Sequence, residues 1–115
     1  MKLIGSKTEQ NIREQLIKSY KYLLNDKSNK KLLSVIESTF PNMKSAYIID
    51  WIPEQGEDIY TVLINTETIT KIEISRVDTN VKPVIESISV TNFRKSLSKI
   101  RQIKLAVAID LAKNN

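Results

Sequence analysis

Between Ala46 and Arg76 the chain reads AYIIDWIPEQGEDIYTVLINTETITKIEISR, and over this stretch the apolar period shortens to two while the residues become β-branched and aromatic. A block of this kind at the middle of a chain has to build a sheet, and one face of that sheet has to be covered. The spacing predicts strands over Ala46–Ile52, Ile59–Asn65 and Thr68–Val77, with Pro53-Glu54-Gln55-Gly56-Glu57-Asp58 as a turn and a shorter turn near Thr66-Glu67. A loop from Asp78 to Pro83 and a weaker fourth strand, Val84–Val90, follow. The connections are short enough for an antiparallel meander.

Helical periodicity flanks this block on both sides. Ser6 and Glu9 fit a capping box, and Ile12, Leu16, Ile17, Tyr20, Leu23 and Leu24 recur at helical spacing up to Asn25 and Asp26. A second helix is expected from about Ser28 to Thr39, burying Leu32, Leu33, Val35, Ile36 and Phe40 and stopped by Pro41. The last element is expected to be one long helix from Thr91 or Asn92 to Lys113, basic in its first half and apolar nearly all round in its second. The expected fold is therefore α+β in a single domain spanning 1–115: two N-terminal helices, a three- to four-stranded antiparallel sheet, and a long C-terminal helix packed on one sheet face.

Strand parity divides the sheet residues. The favoured phase sets Tyr47, Ile49, Trp51, Tyr60, Val62, Ile64, Ile72 and Ile74 toward the helices. Asp50, Thr61, Asn65, Lys71 and Glu73 then face away, because burying Asp50 or Glu73 unpaired would cost several kcal/mol. The same phase leaves Ile48, Ile52, Ile59, Leu63, Ile69 and Ile85 on the face without predicted helices. Such a patch exceeds what monomers usually expose, so it calls for a partner, a second copy or a helix of the same chain.

The net charge of +5 hides a separation. By segment, residues 1–45 carry +5, residues 46–90 carry −5 and residues 91–115 carry +5, so the helical flanks are basic and the sheet block is acidic. The chain has no Cys and no His, which removes disulfides, thiolate metal sites and the commonest general base. No apolar run approaches the ~20 residues of a membrane span, and the apolar step after Lys2 is far short of a secretory segment. A soluble, cytoplasmic protein without cofactor or metal is expected.

Three groups of residues can carry a function. The acidic turn and its neighbours, Asp50, Trp51, Glu54, Glu57, Asp58 and Tyr60, would offer carboxylates and an aromatic anchor to a basic protein, together with Ile48, Leu63 and Glu73 on the outward face. The plain alternative there is a solvated hairpin with a core Trp. Arg94, Lys95, Lys99, Arg101 and Lys104, joined by Lys30 and Lys31, would suit phosphates, although they do not form one stripe. Asp50, Lys71 and Glu73 resemble a metal-dependent nuclease constellation, but the Lys precedes the Glu instead of following it, so no enzyme is expected.

A chain of this character, Cys-free and rich in Lys, Ile and Asn, with the hairpin DWIPEQGEDIY and the terminal helix RQIKLAVAIDLAKN, resembles immunity proteins of bacterial polymorphic toxin systems, including contact-dependent growth inhibition. The resemblance implies a non-catalytic protein that binds a cognate toxin domain, often a nuclease, and blocks its active site or substrate approach. Many such proteins are acidic overall, whereas this one is acidic only across its sheet block. The competing readings are a small nucleic-acid-binding or regulatory protein acting through the basic helices, with nucleic acid the less favoured partner, and a homodimer through the apolar sheet face. A membrane partner is not expected.

Overall fold

The structure, a computed structural model, describes residues 3–25, 30–78 and 80–114. Asp26, expected to help stop the first helix, and Ser28, expected to open the second, lie outside the described residues. The elements run α1 (Lys7–Asn25), α2 (Lys30–Thr39), β1 (Ala46–Glu54), β2 (Glu57–Ile64), β3 (Thr68–Ser75), β4 (Val84–Ser89), α3 (Val90–Arg94) and α4 (Lys99–Lys113). The strands form one antiparallel sheet in the order β1-β2-β3-β4. No helix among the described residues is long and apolar enough to cross a membrane.

The expected capping box closes the start of α1. Ser6 Oγ accepts from the Glu9 N–H at 3.2 Å, and Glu9 Oε2 accepts from the Ser6 N–H at 3.1 Å. Glu9 goes further, for its carboxylate also takes the N–H groups of Ile4 and Gly5, at 3.0 and 3.2 Å, and the Ser6 hydroxyl at 2.9 Å. One side chain thereby satisfies donors that precede the helix and folds the incoming chain back over its first turn. The Ser6 N–H is the largest influence on Glu9 and lowers its pKa; burial opposes it, and the remaining donors reinforce it.

Two tight turns set the register of the meander. Gln55-Gly56 joins β1 to β2, with Gly56 at φ +79°, a conformation a side chain would strain. Asn65 at φ 54° begins the turn into β3, so it belongs to the turn and not to the outer sheet face. Its Oδ1 accepts from the N–H groups of Lys44 and Ser45 at 2.8 and 3.2 Å, and its own N–H donates to the Ser45 carbonyl. That clamp fixes where β1 begins.

Strand β1 does not keep a single phase. Ile48 pairs with Val62 and Asp50 with Thr61, so Ile49 is an extra residue in a β-bulge. Ahead of the bulge Tyr47 stands beside Leu63 and Ile69, and behind it Trp51 stands beside Tyr60 and Ile72. The expected face that ran through Tyr47, Ile49, Trp51, Tyr60 and Val62 is therefore split. Tyr47, Ile49, Leu63 and Ile69 pack with Ile12 and Leu16 of α1 and Leu105, Val107 and Ala108 of α4. On the opposite face Ala46, Val62, Ile64, Ile72 and Ile74 pack with Leu23 at the end of α1 and Leu32 and Ile36 of α2. Helices thus cover both faces at the end of the sheet nearest Ala46, and α1 serves both clusters.

This arrangement corrects the outward placement of Leu63 and Ile48. Leu63 is 0% exposed, sealed beneath α1 and α4, and Ile48 is half-buried on the α2 face. The C-terminal helix is also interrupted, since residues 95–98 separate α3 from α4. No Gly or Pro lies there. Instead Ser96 Oγ donates to the Phe93 carbonyl, competing locally with the helical ladder, and Ser98 takes extended dihedrals as the N-cap of α4. The break frees α4 to lie on β1 and α1, where Arg13 meets Asp110 at 2.8 Å.

Leu63→Ala should lower the unfolding free energy by about 2–5 kcal/mol in urea titrations, against a few tenths for a surface leucine. Glu9 tests the cap through pH. Its folded pKa lies below the unfolded value of 4.5, so its contribution is present above that value and disappears as pH falls through the folded pKa. The stability gap between the parent and Glu9→Gln should therefore be open at neutral pH and close in acid.

Candidate partner-binding site at the β1–β2 hairpin

Toward the β1–β2 hairpin, the sheet carries a small organised cluster. The bulge turns Trp51 onto the α2 face, where it borders a shallow pocket shared with Gln15 and Ser19 of α1 and Lys104 of α4, and there the indole is 58% exposed. It is nevertheless held. Its ring stacks on the Tyr60 ring directly across the pair, centroids 6.3 Å apart and planes within 10°. Its Nε1–H donates to Asp58 Oδ1 at 3.0 Å. Arg76, just past the end of β3, also donates to Asp58 Oδ1, at 2.7 Å, and reaches the Glu54 carbonyl with its other Nη. The backbone joins in, as the Arg76 N–H donates to the Gly56 carbonyl at 2.8 Å.

The result is a fixed exposed indole on a braced turn. Burial pushes the Tyr60 phenol above its usual value; the Asp58 carboxylate adds to this, Arg76 opposes it and Tyr22 adds a little more. Tyr60 therefore stays neutral as a stacking platform. At the tip, Glu54 and Glu57 face each other across the last pair of the ladder, both exposed and without an ion pair among the described residues. Like charges so placed repel, and a cation between them would relieve the strain.

The remaining sequence-derived candidates distribute differently. Asp50 is half-buried and bound to Arg101 of α4, which fastens α4 to the bulge. Glu73 is half-buried and pairs with Lys71 at 3.5 Å. Asp50, Lys71 and Glu73 do share the α4 face, with Thr61 on the strand between Asp50 and Lys71, which sets those two about 10 Å apart. Each carboxylate already has its own cation. Among the described residues no group of three or more His, Cys, Asp or Glu could hold a metal ion.

The basic residues do not converge. Arg94 lies on α3 and Lys95 caps it, Lys99 and Arg101 open α4 beyond the break, and Arg101 is taken by Asp50. Lys30 and Lys31 sit on α2, whose apolar side joins the other sheet face, and Lys31 Nζ is buried with no hydrogen-bond partner among the described residues. These positions do not make a continuous phosphate-binding track.

Sequence reasoning placed Trp51 inward in its strand phase and missed Arg76 altogether. The signal for the first was the doubled apolar pair Ile48-Ile49 followed by an acid, since an unbroken alternation that buries Ile49 leaves Ile48 exposed on the same face as Asp50. The signal for Arg76 was its lone positive charge at the end of β3, opposite the acidic turn. Compared with known proteins, the chain matches no family model, no curated protein and no solved structure.

Trp51 is the sole tryptophan, so its fluorescence reports on this cluster directly. Asp58→Ala should lower the steady-state anisotropy of Trp51 by freeing the indole, while changing folding stability by only about 1 kcal/mol.

Proposed function

We propose that the protein is a non-catalytic binding module, an immunity protein that binds and neutralises a cognate toxin domain, in one form a nuclease. The observation that carries this reading is Trp51, an aromatic side chain exposed to solvent yet locked by a ring stack and two layers of hydrogen bonds. Exposing an indole is unfavourable for a lone monomer, and fixing it in place lowers the entropy that a partner's pocket would otherwise have to remove. Rigid aromatic anchors ringed by charge are the usual energetic centre of a protein interface.

The carboxylates at the hairpin tip, unpaired among the described residues, favour a basic partner surface. Glu54 and Glu57 border Trp51's hairpin without internal cations, whereas Asp50, Asp58 and Glu73 are neutralised within the chain. The interface is thus narrower than the whole acidic block: Trp51 and Tyr60 as anchor on one face, Glu54 and Glu57 as steering charges at the hairpin tip, and Ile52, 46% exposed, on the opposite face. A toxin domain that handles nucleic acid would present a cationic groove of the opposite sign, and docking the hairpin there blocks substrate. This reading places the protein in the cytoplasm and needs no cofactor.

The test uses the product of the adjacent open reading frame as probe. It should bind the tagged protein, and Trp51→Ala should weaken binding by about 2 kcal/mol or more, roughly thirtyfold. Reversing Glu54 and Glu57 to Lys should chiefly slow association and flatten its salt dependence. If that product neither binds nor is toxic when produced alone, the reading is wrong.

A further inference from the structure

The two borders of the sheet are treated differently by the fold. Strand β1 is guarded in three ways: α1 packs along it, the bulge at Ile49 twists it, and Pro53 removes a donor. Strand β4 has no such protection. Its residues, VIESIS, are all exposed, and Val84, Ile85 and Ile88 show 50%, 38% and 46% of their surfaces. It contains no Lys, no Pro and no bulge, and its far side is the open end of the strand order. An apolar edge of this kind is a template for another strand.

Charge selects the strand that fits. Glu86 is the only charged residue of β4, and it has no ion pair among the described residues. At the C-terminal end of β4, an open cavity of about 770 Å³ is lined by Ile88, Ser89, Glu67, Ile109, Arg94 and Lys113. Arg94 and Lys113 are likewise without ion pairs among the described residues. A strand that runs antiparallel to β4 and carries an acid near its middle would meet both the apolar edge and these cations.

We propose that this strand is β4 of a second copy, paired antiparallel about a two-fold axis through Ser87. Continuity of the pleat requires residues on the same face to stand opposite one another, which leaves registers centred on Ile85, Glu86 or Ser87. Centring on Glu86 sets two carboxylates against each other. Centring on Ile85 carries Glu86 toward Val84, away from Arg94. Centring on Ser87 places Glu86 of each copy opposite Ile88 of the other, at the mouth of the cavity that holds Arg94 and Lys113. Ile85 then stands opposite Ser89 and the two Ser87 hydroxyls meet. Both sheets join into one of eight strands with the α1 and α4 layers on the same side.

Sedimentation equilibrium over a concentration series, together with hydrogen exchange, tests this. The parent chain should sediment as a dimer, and outward-facing β4 amides should gain protection as concentration rises. Glu86→Arg and Arg94→Glu, both at exposed positions, should each weaken the dimer at least tenfold, and the two combined should restore it, with circular dichroism showing an unchanged fold. A monomer at every concentration, unprotected β4 amides, or a dimer indifferent to both reversals would each overturn the proposal. The hairpin is untouched by these changes, so partner binding through Trp51 succeeds or fails separately.

Discussion

One extra residue in β1 governs the arrangement of the whole molecule. With Ile49 inserted opposite Thr61, Tyr47 and Ile49 bury beneath α1 and α4, while Trp51, two residues on, is turned to the other side. Without that insertion a strict alternation from Tyr47 would keep Trp51 on the α4 face and move Asp50 to the other, far from Arg101. The bulge therefore does two things at once. It lets one short strand feed both hydrophobic clusters, and it aims an acid at α4 and an indole at solvent.

The rest of the packing follows from how little helix there is to cover two sheet faces. Helix α1 turns Ile12 and Leu16 to one cluster and Leu23 to the other, so it closes the β1 edge as well as contributing to both cores. Helices α2 and α4 then seal the half of the sheet nearest Ala46, where Leu63, Val62 and Ile64 are buried. The far half is left with Trp51, Ile52 and Ile85 exposed. Ile72 and Ile74 remain buried there on the α2 side, and polar contacts brace the rest: Arg76 ties the end of β3 to Asp58 and Glu54. A sheet end stiffened by directional bonds as well as by burial can present a surface without collapsing onto it.

Much of this was legible in the residues because local rules and the global fold agree. The Ser6–Glu9 box, the period-two block and the Gln55-Gly56 turn each allow one local structure, and the α+β order follows from them. The phase of β1 was not legible by the same means. Alternation assumes an unbroken pleat, and the Ile48-Ile49 pair satisfies either face until the cost of burying Asp50 is set against the availability of Arg101, 51 residues away in the chain. The break before α4 was hidden for a related reason: Ser96 is tolerated in helices and acts as a breaker only when α4 gains more by packing on α1 and β1 than by continuing α3. Of the expected binding residues, Glu54 and Glu57 lie at the exposed tip, whereas Leu63, which looked outward in a one-sided sheet, is interior in a two-sided one.

The two proposed surfaces lie on different borders of the same sheet, and their geometry bears on each other. The hairpin tip lies at the end of the sheet where β4 begins, since Glu57 aligns with Ser75 and Val84 with Glu73. Antiparallel pairing of two β4 strands reverses one copy relative to the other, so the two Trp51 sites point to opposite ends of the joined sheet, separated by the strands between them. Neither site then obstructs the other, and each copy can take its own partner domain. The α1 and α4 layers come to lie together on one side of the joined sheet and α2 of each copy on the other. Pairing the edges therefore conserves the charge separation already present in the sequence, with the acidic hairpin tips at the ends of the joined sheet, where the proposed partner would dock.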